Sequence, residues 1–128
     1  EVSLDLIGRG EEEKKWKELS KKLGLEKSIN IEDWIQDRHK FHLRLSAAAI
    51  GLAPFNYNIL DDKVRNADPG KIKDYTSVGL PVITTKAVYT HRQITDSKCG
   101  IIIKYTVDDL AKYKRVFYYF KTSIVFSH

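Results

Sequence analysis

Short apolar runs alternate with capped or amphipathic segments along nearly the whole chain, and few folds accept that alternation. Val2-Ser3-Leu4-Asp5-Leu6-Ile7 reads as a strand stopped by Gly8-Arg9-Gly10. Glu11 to Leu23 reads as a helix, with Trp16, Leu19 and Leu23 at i, i+3 and i+7 on one face. Its opening glutamates suit the positive end of the helix dipole, and Gly24 suits a left-handed cap. Ile29 to Ile31 is a short second strand, and Asp37 can cap a helix over about 38–48. Ala49-Ile50-Gly51-Leu52-Ala53-Pro54 is apolar without alternation, as a strand covered on both faces would be.

A long polar loop over 56–68 follows, and Asp68-Pro69 opens a helix ending near Val78-Gly79. Pro81 to Thr85 and Gly100 to Ile103 are further strands, with a short helix expected over Ala87 to Ile94. Thr106 caps a last helix whose Leu110, Tyr113, Phe117 and Phe120 form a stripe. Strands and helices in this rhythm predict an α/β, Rossmann-like parallel sheet with helices on both faces.

The 128 residues suit one domain with one core, and 42% hydrophobic with 30% charged residues suits a globular chain. No run reaches the roughly 18–20 apolar residues of a membrane helix, and no signal peptide is visible before the first strand. Cys99 is the single cysteine, which excludes an intrachain disulfide or a cysteine metal cluster and fits a reduced, cytoplasmic setting. The net charge of +5 suits an anionic partner. Its lysines are interleaved with glutamates over 11–22, however, and no aromatic-basic motif for nucleic acid is present.

In an open parallel sheet, ligands bind beyond the carboxyl ends of the strands. That rule selects the loops 8–10, 33–37, 55–70 and 84–90. Gly8 and Gly10 join a strand to a helix, where free amides can approach a phosphate, although a tight turn needs glycine anyway. In Asp68-Pro69-Gly70-Lys71-Ile72-Lys73-Asp74, a helix start, a glycine and two lysines meet, which suits a diphosphate. Asp74, one turn further on, suits sugar or ribose hydroxyls; a capped surface helix explains the same residues. His39 and His42 share a helix face, but no further metal ligands match them, and they read as surface or packing residues. His91 lies near a candidate loop without an assignable acidic partner.

The order of segments resembles the retaining glycosyltransferases of the glycogen-synthase and mannosyltransferase type (glycosyl transferases group 1). Leu4-Asp5-Leu6-Ile7-Gly8-Arg9-Gly10-Glu11-Glu12-Glu13 and Ser46-Ala47-Ala48-Ala49-Ile50-Gly51-Leu52-Ala53-Pro54 follow its pattern. The most specific stretch runs from Pro69-Gly70-Lys71-Ile72-Lys73-Asp74-Tyr75 through Gly79-Leu80-Pro81-Val82-Ile83-Thr84-Thr85. It is similar to the family's P-x-K-x-x-E-Y-x-x-x-G-x-P-V-I-x-T. Gly100 to Ile103 and Thr106-Val107-Asp108-Asp109-Leu110-Ala111 match the closing strand and helix, so the likeness covers roughly 3–112.

The resemblance implies the C-terminal lobe of a two-lobed enzyme, holding a nucleoside-diphosphate sugar for transfer to a hydroxyl acceptor. Residues 1–128 would be that donor-binding lobe, partial and lacking its first strand and the N-terminal lobe. It implies Asp74 at the ribose, in place of the usual glutamate. The first of the family's two acids, eight positions earlier, falls on Asn66, the implied catalytic position, which departs from the pattern. Gly70, Lys71, Asp68, Gly8 and Gly10 would face diphosphate or sugar, and Trp34, Ile35 and Gln36 the base. Neither metal nor cofactor is implied, because basic groups and helix amides can carry the leaving charge.

The implied partners are the donor, the missing lobe and a membrane-associated acceptor, with the tail cluster Tyr118, Tyr119 and Phe120 docking on the other lobe or on a membrane surface. A non-catalytic nucleotide- or sugar-binding module is the alternative. The missing first strand would lie centrally, between the strands at 2–7 and 50–54. Left empty, its slot exposes two unpaired edges and invites oligomerisation. Lys121 to Phe126 is β-branched and apolar enough to fill it; alternatively the Thr106 helix continues through this segment.

Overall fold

A computed structural model describes residues 2–66, 69–113 and 123–127. Six parallel strands form one sheet in the order β2-β1-β6-β3-β4-β5. The elements are β1 (Ser3–Ile7), α1 (Glu13–Lys22), β2 (Ile29–Glu32), α2 (Arg38–Ser46), β3 (Ile50–Ala53) and α3 (Asp62–Asn66). Then follow α4 (Gly70–Ser77), β4 (Val82–Thr85), α5 (His91–Asp96), β5 (Gly100–Ile103), α6 (Val107–Ala111) and β6 (Ser123–Ser127). The predicted α/β parallel architecture is the observed one.

The last strand lies at the centre. β6 pairs with β1 on one side, Asp5 opposite Val125, and with β3 on the other, Gly51 opposite Val125. The central slot is therefore filled from within the chain, by the segment whose conformation the sequence leaves open. Val125 is fully buried. The positions 114–122, including Phe117 and the Tyr118-Tyr119-Phe120 cluster, lie outside the described residues.

One face of the sheet carries the main core, in which Ile7, Val125, Ala53 and Val82 pack with Phe41, Leu45, Ile72 and Tyr75. Gly51 has no alternative on this face, because a Cβ there would run into the Tyr75 ring. Tyr75 itself is fully buried, and its hydroxyl donates to the Leu52 carbonyl at 3.1 Å. The caps are those the sequence offers. Asp37 accepts from the Lys40 amide at 2.9 Å, Thr106 accepts from the Asp109 amide at 3.2 Å, and Gly24 has φ +67°.

Two expectations are corrected. The polar loop after β3 contains a helical turn, α3, in which Asp62 and Arg65 pair at 3.1 Å in place of any apolar periodicity. The helix expected over 87–94 starts later, at His91, since Ala87 and Val88 are buried in the turn that leaves β4. Trp16, Leu19 and Leu23 share one face of α1, as their spacing implies, and line a common groove with Leu19 and Leu23 more than half exposed.

Candidate functional site

α2 carries the chain from β2, near one edge, past β1 and β6 to β3, so the direction of travel across the sheet reverses there. Such a reversal opens a crevice at the carboxyl ends of the strands. A cleft of about 260 Å³ is present, built from two segments distant in sequence. The turn after β2 contributes Trp34, Ile35 and Gln36, α2 contributes Arg38 and Phe41, and the start of α4 contributes Gly70, Lys71 and Asp74.

The turn is fixed from outside and inside. Arg9 grips Asp33 through Nε and Nη2, at 2.5 and 2.7 Å, and the Trp34 amide donates to the same carboxylate at 2.6 Å. These bonds hold the Asp33 carboxyl at about 2, well below the usual carboxylate range. Trp34 stacks on Phe41, with ring centroids 6.3 Å apart, and stays half exposed. A flat aromatic surface is thereby presented at the rim.

α2 is anchored underneath by a partly buried charge network. Arg44 pairs with Asp5 at 2.9 Å and bonds both oxygens of Glu32, while Asn30 donates to Asp5 at 2.7 Å. Asp5 is 2% exposed, and the carboxylates of Glu32 and Asp5 raise the Arg44 pKa. A guanidinium shared by two acids fixes helix, β1 and β2 in one arrangement. That arrangement aims Arg38 and His42 at α4.

Asp74 receives both. Arg38 Nη2 lies 2.6 Å and His42 Nε2 3.2 Å from its Oδ1. The two histidines of α2 thus part ways: His42 reaches Asp74, whereas His39 is exposed. No group of three metal-ligating side chains occurs among the described residues. Lys71 is half-buried, its Nζ 4.6 Å from the Phe126 ring and 5.3 Å from that of Phe55. Burial lowers its pKa from 10.5. Phe126 belongs to the central strand, so β6 also supplies a wall for the cation.

Of the residues singled out in the sequence, Trp34, Ile35, Gln36, Gly70, Lys71 and Asp74 line this one cleft. Gly8 (φ +142°) and Gly10 lie in the neighbouring turn, where the Gly8 amide donates to the Glu32 carbonyl at 3.0 Å. They are not among the lining residues. Asn66 ends α3, exposed, with its amide donating to the Asp62 carbonyl at 2.9 Å. His91 bonds the Val88 carbonyl in its own turn, at 2.8 Å. Asp68 lies outside the described residues. Sequence reasoning missed Arg38 and His42 as partners of Asp74. Their i, i+4 spacing was the available signal, since it puts both on one side of α2.

A larger apolar groove of about 370 Å³ lies on the opposite face, between α1 and the sheet, lined by Leu4, Leu6, Trp16, Leu19 and Phe126 among others. No charged side chain lines it among the described residues. The convergent polar groups are in the smaller cleft.

No family model and no curated protein sequence matches the chain. Among solved structures, it is similar to WaaG, described as a glycosyltransferase involved in lipopolysaccharide biosynthesis, with a TM-score of 0.68 and 22% identity. The match covers 89% of this chain and 28% of that one. The fold is therefore a Rossmann-like one shared with a glycosyltransferase, and the chain spans little more than a quarter of that protein's length. No helix among the described residues is long and apolar enough to cross a membrane.

Proposed function

We propose that the chain is the donor-binding lobe of a retaining glycosyltransferase and holds a nucleoside-diphosphate sugar in the cleft between β2, α2 and α4. The carrying observation is convergence: two segments more than thirty positions apart, each assigned to nucleotide contact from sequence, line one crevice at the reversal of the sheet. Trp34, Ile35 and Gln36 would contact the base, and Asp74 would accept hydroxyls of the ribose. Gly70 opens an eight-residue helix whose N-terminus, with Lys71, would face the diphosphate. In the transfer reaction those groups would stabilise charge developing on the leaving diphosphate, without reorganising at the moment of bond cleavage. Gly8 and Gly10, in the neighbouring turn, would take outer positions around the diphosphate and sugar. The whole enzyme would act at a cytoplasmic membrane face, with a second lobe carrying the acceptor.

Calorimetric titration with UDP, GDP and ADP tests the reading. One of the three should bind, and Asp74→Ala should weaken it by about 1–3 kcal/mol, the cost of leaving polar partners unpaired. Equal binding by the variant removes Asp74 from the site, and no binding of any of the three removes the reading.

One observation favours a binding module without chemistry. Asn66 bonds its own helix and carries no charge, so the position implied for catalysis offers no carboxylate to a transition state.

A further inference from the structure

We propose that Arg38 is the residue through which the cleft recognises the anionic part of its ligand, and that Asp74 positions it for that contact. The inference rests on the reading of the cleft as a nucleoside-diphosphate site and deepens it.

The other arginines that bond carboxylates each make two or more hydrogen bonds within the protein, although the buried Nε of Arg65 has no partner among the described residues. Arg9 gives two nitrogens to Asp33, Arg44 is shared between Asp5 and Glu32, and Arg65 bonds Asp62 and the Tyr57 carbonyl. Arg38 commits Nη2 alone, to Asp74, and no other hydrogen-bond partner for it occurs among the described residues. Its side chain is 73% exposed and lines the cleft. A guanidinium presents five N–H donors in a rigid fork, so most of its capacity remains to be used.

Asp74 is suited to hold that fork. It is itself 13% exposed, and His42 fixes its Oδ1 from the side, so the carboxylate is a rigid post at the cleft wall. Restraining a flexible arginine before the ligand arrives lowers the entropy lost on binding. The charges point the same way. Among the described lining residues Arg38 and Lys71 are cations and Asp74 is the sole anion, leaving a positive surplus for an anion to neutralise. Lys71 is half-buried against two rings, whereas Arg38 faces open solvent. An arginine fork matches phosphate oxygens in pairs, which a lysine point charge does not.

The test is calorimetry on the full chain and on Arg38→Ala, Arg38→Lys and Asp74→Asn. The probes are inorganic pyrophosphate, the tightest of UDP, GDP and ADP, and the matching nucleoside. Arg38→Ala should weaken pyrophosphate and the diphosphate at least tenfold and leave the nucleoside within twofold. Arg38→Lys should recover only part of the loss, and Asp74→Asn should weaken pyrophosphate severalfold. Diphosphate binding by Arg38→Ala as tight as, or tighter than, the parent overturns the proposal and makes Arg38 idle or obstructive. Arg38-dependent binding of pyrophosphate that no nucleoside improves supports Arg38 while refuting the nucleotide reading. No binding by any probe refutes both.

Discussion

Lys71 shows how one residue trades stability for a position. Its ammonium sits half-buried over Phe55 and Phe126, and burial depresses its pKa below 10.5. In the unfolded chain the ordinary value returns, so the unfolded state binds more protons between the two values. Stability should therefore rise with pH as it climbs through the depressed value towards 10.5. Lys71→Met should remove that rise. At neutral pH the variant should unfold within about 1 kcal/mol of the parent, the scale of the cation–π contacts it gives up. Thermal melts at pH 7 and near pH 10 check this. A large loss of stability at pH 7 would mean that the ammonium is a structural group.

Among the elements, α2 connects packing to the site. Its N-cap Asp37 is legible in the sequence, because a short acid before a helical run satisfies a free amide wherever it occurs. Its anchor is less so: Arg44, Asp5 and Glu32 come together only once β1 and β2 pair. Asp37→Ala should cost about 1 kcal/mol. Arg44→Ala should cost about 3 kcal/mol, because it removes the guanidinium that pairs with the buried carboxylate of Asp5. Both should weaken nucleotide binding by loosening Arg38 and His42, with Arg44→Ala the more severe. Urea denaturation gives the order, and the reverse order would show that the network does not anchor the helix.

β1, β3 and β4 were readable from apolar runs bounded by glycine and proline, and α4 from the Asp68-Pro69 start and the Val78-Gly79 stop. α3 was not, since five residues of mixed charge carry no periodic signal. The cleft was half legible. Loop position at the carboxyl ends named its walls, but the partners of Asp74 depend on how two helices face each other, which spacing within either helix does not fix.

At the scale of the molecule, β6 is the strand that makes one sheet of two pieces. Without it, β2-β1 and β3-β4-β5 would each show an open parallel edge in the middle of the fold. A charge at Val125, fully buried between Asp5 and Gly51, should abolish the cooperative thermal transition in Val125→Asp. Val107→Asp, at a side chain 83% exposed, should melt as the parent does. Equal melting of both would show that the sheet stands without its central strand.

Every role proposed for the cleft between β2, α2 and α4 depends on its holding a nucleoside diphosphate. The direct measurement is amide chemical-shift mapping on the isotope-labelled chain titrated with UDP, GDP and ADP. One of them should give saturable shifts concentrated at Trp34, Ile35, Gln36, Gly70 and Lys71, with little change at Leu19 and Leu23 in the apolar groove. Shifts confined to that groove, or none at saturating nucleotide, would contradict nucleotide binding in the cleft.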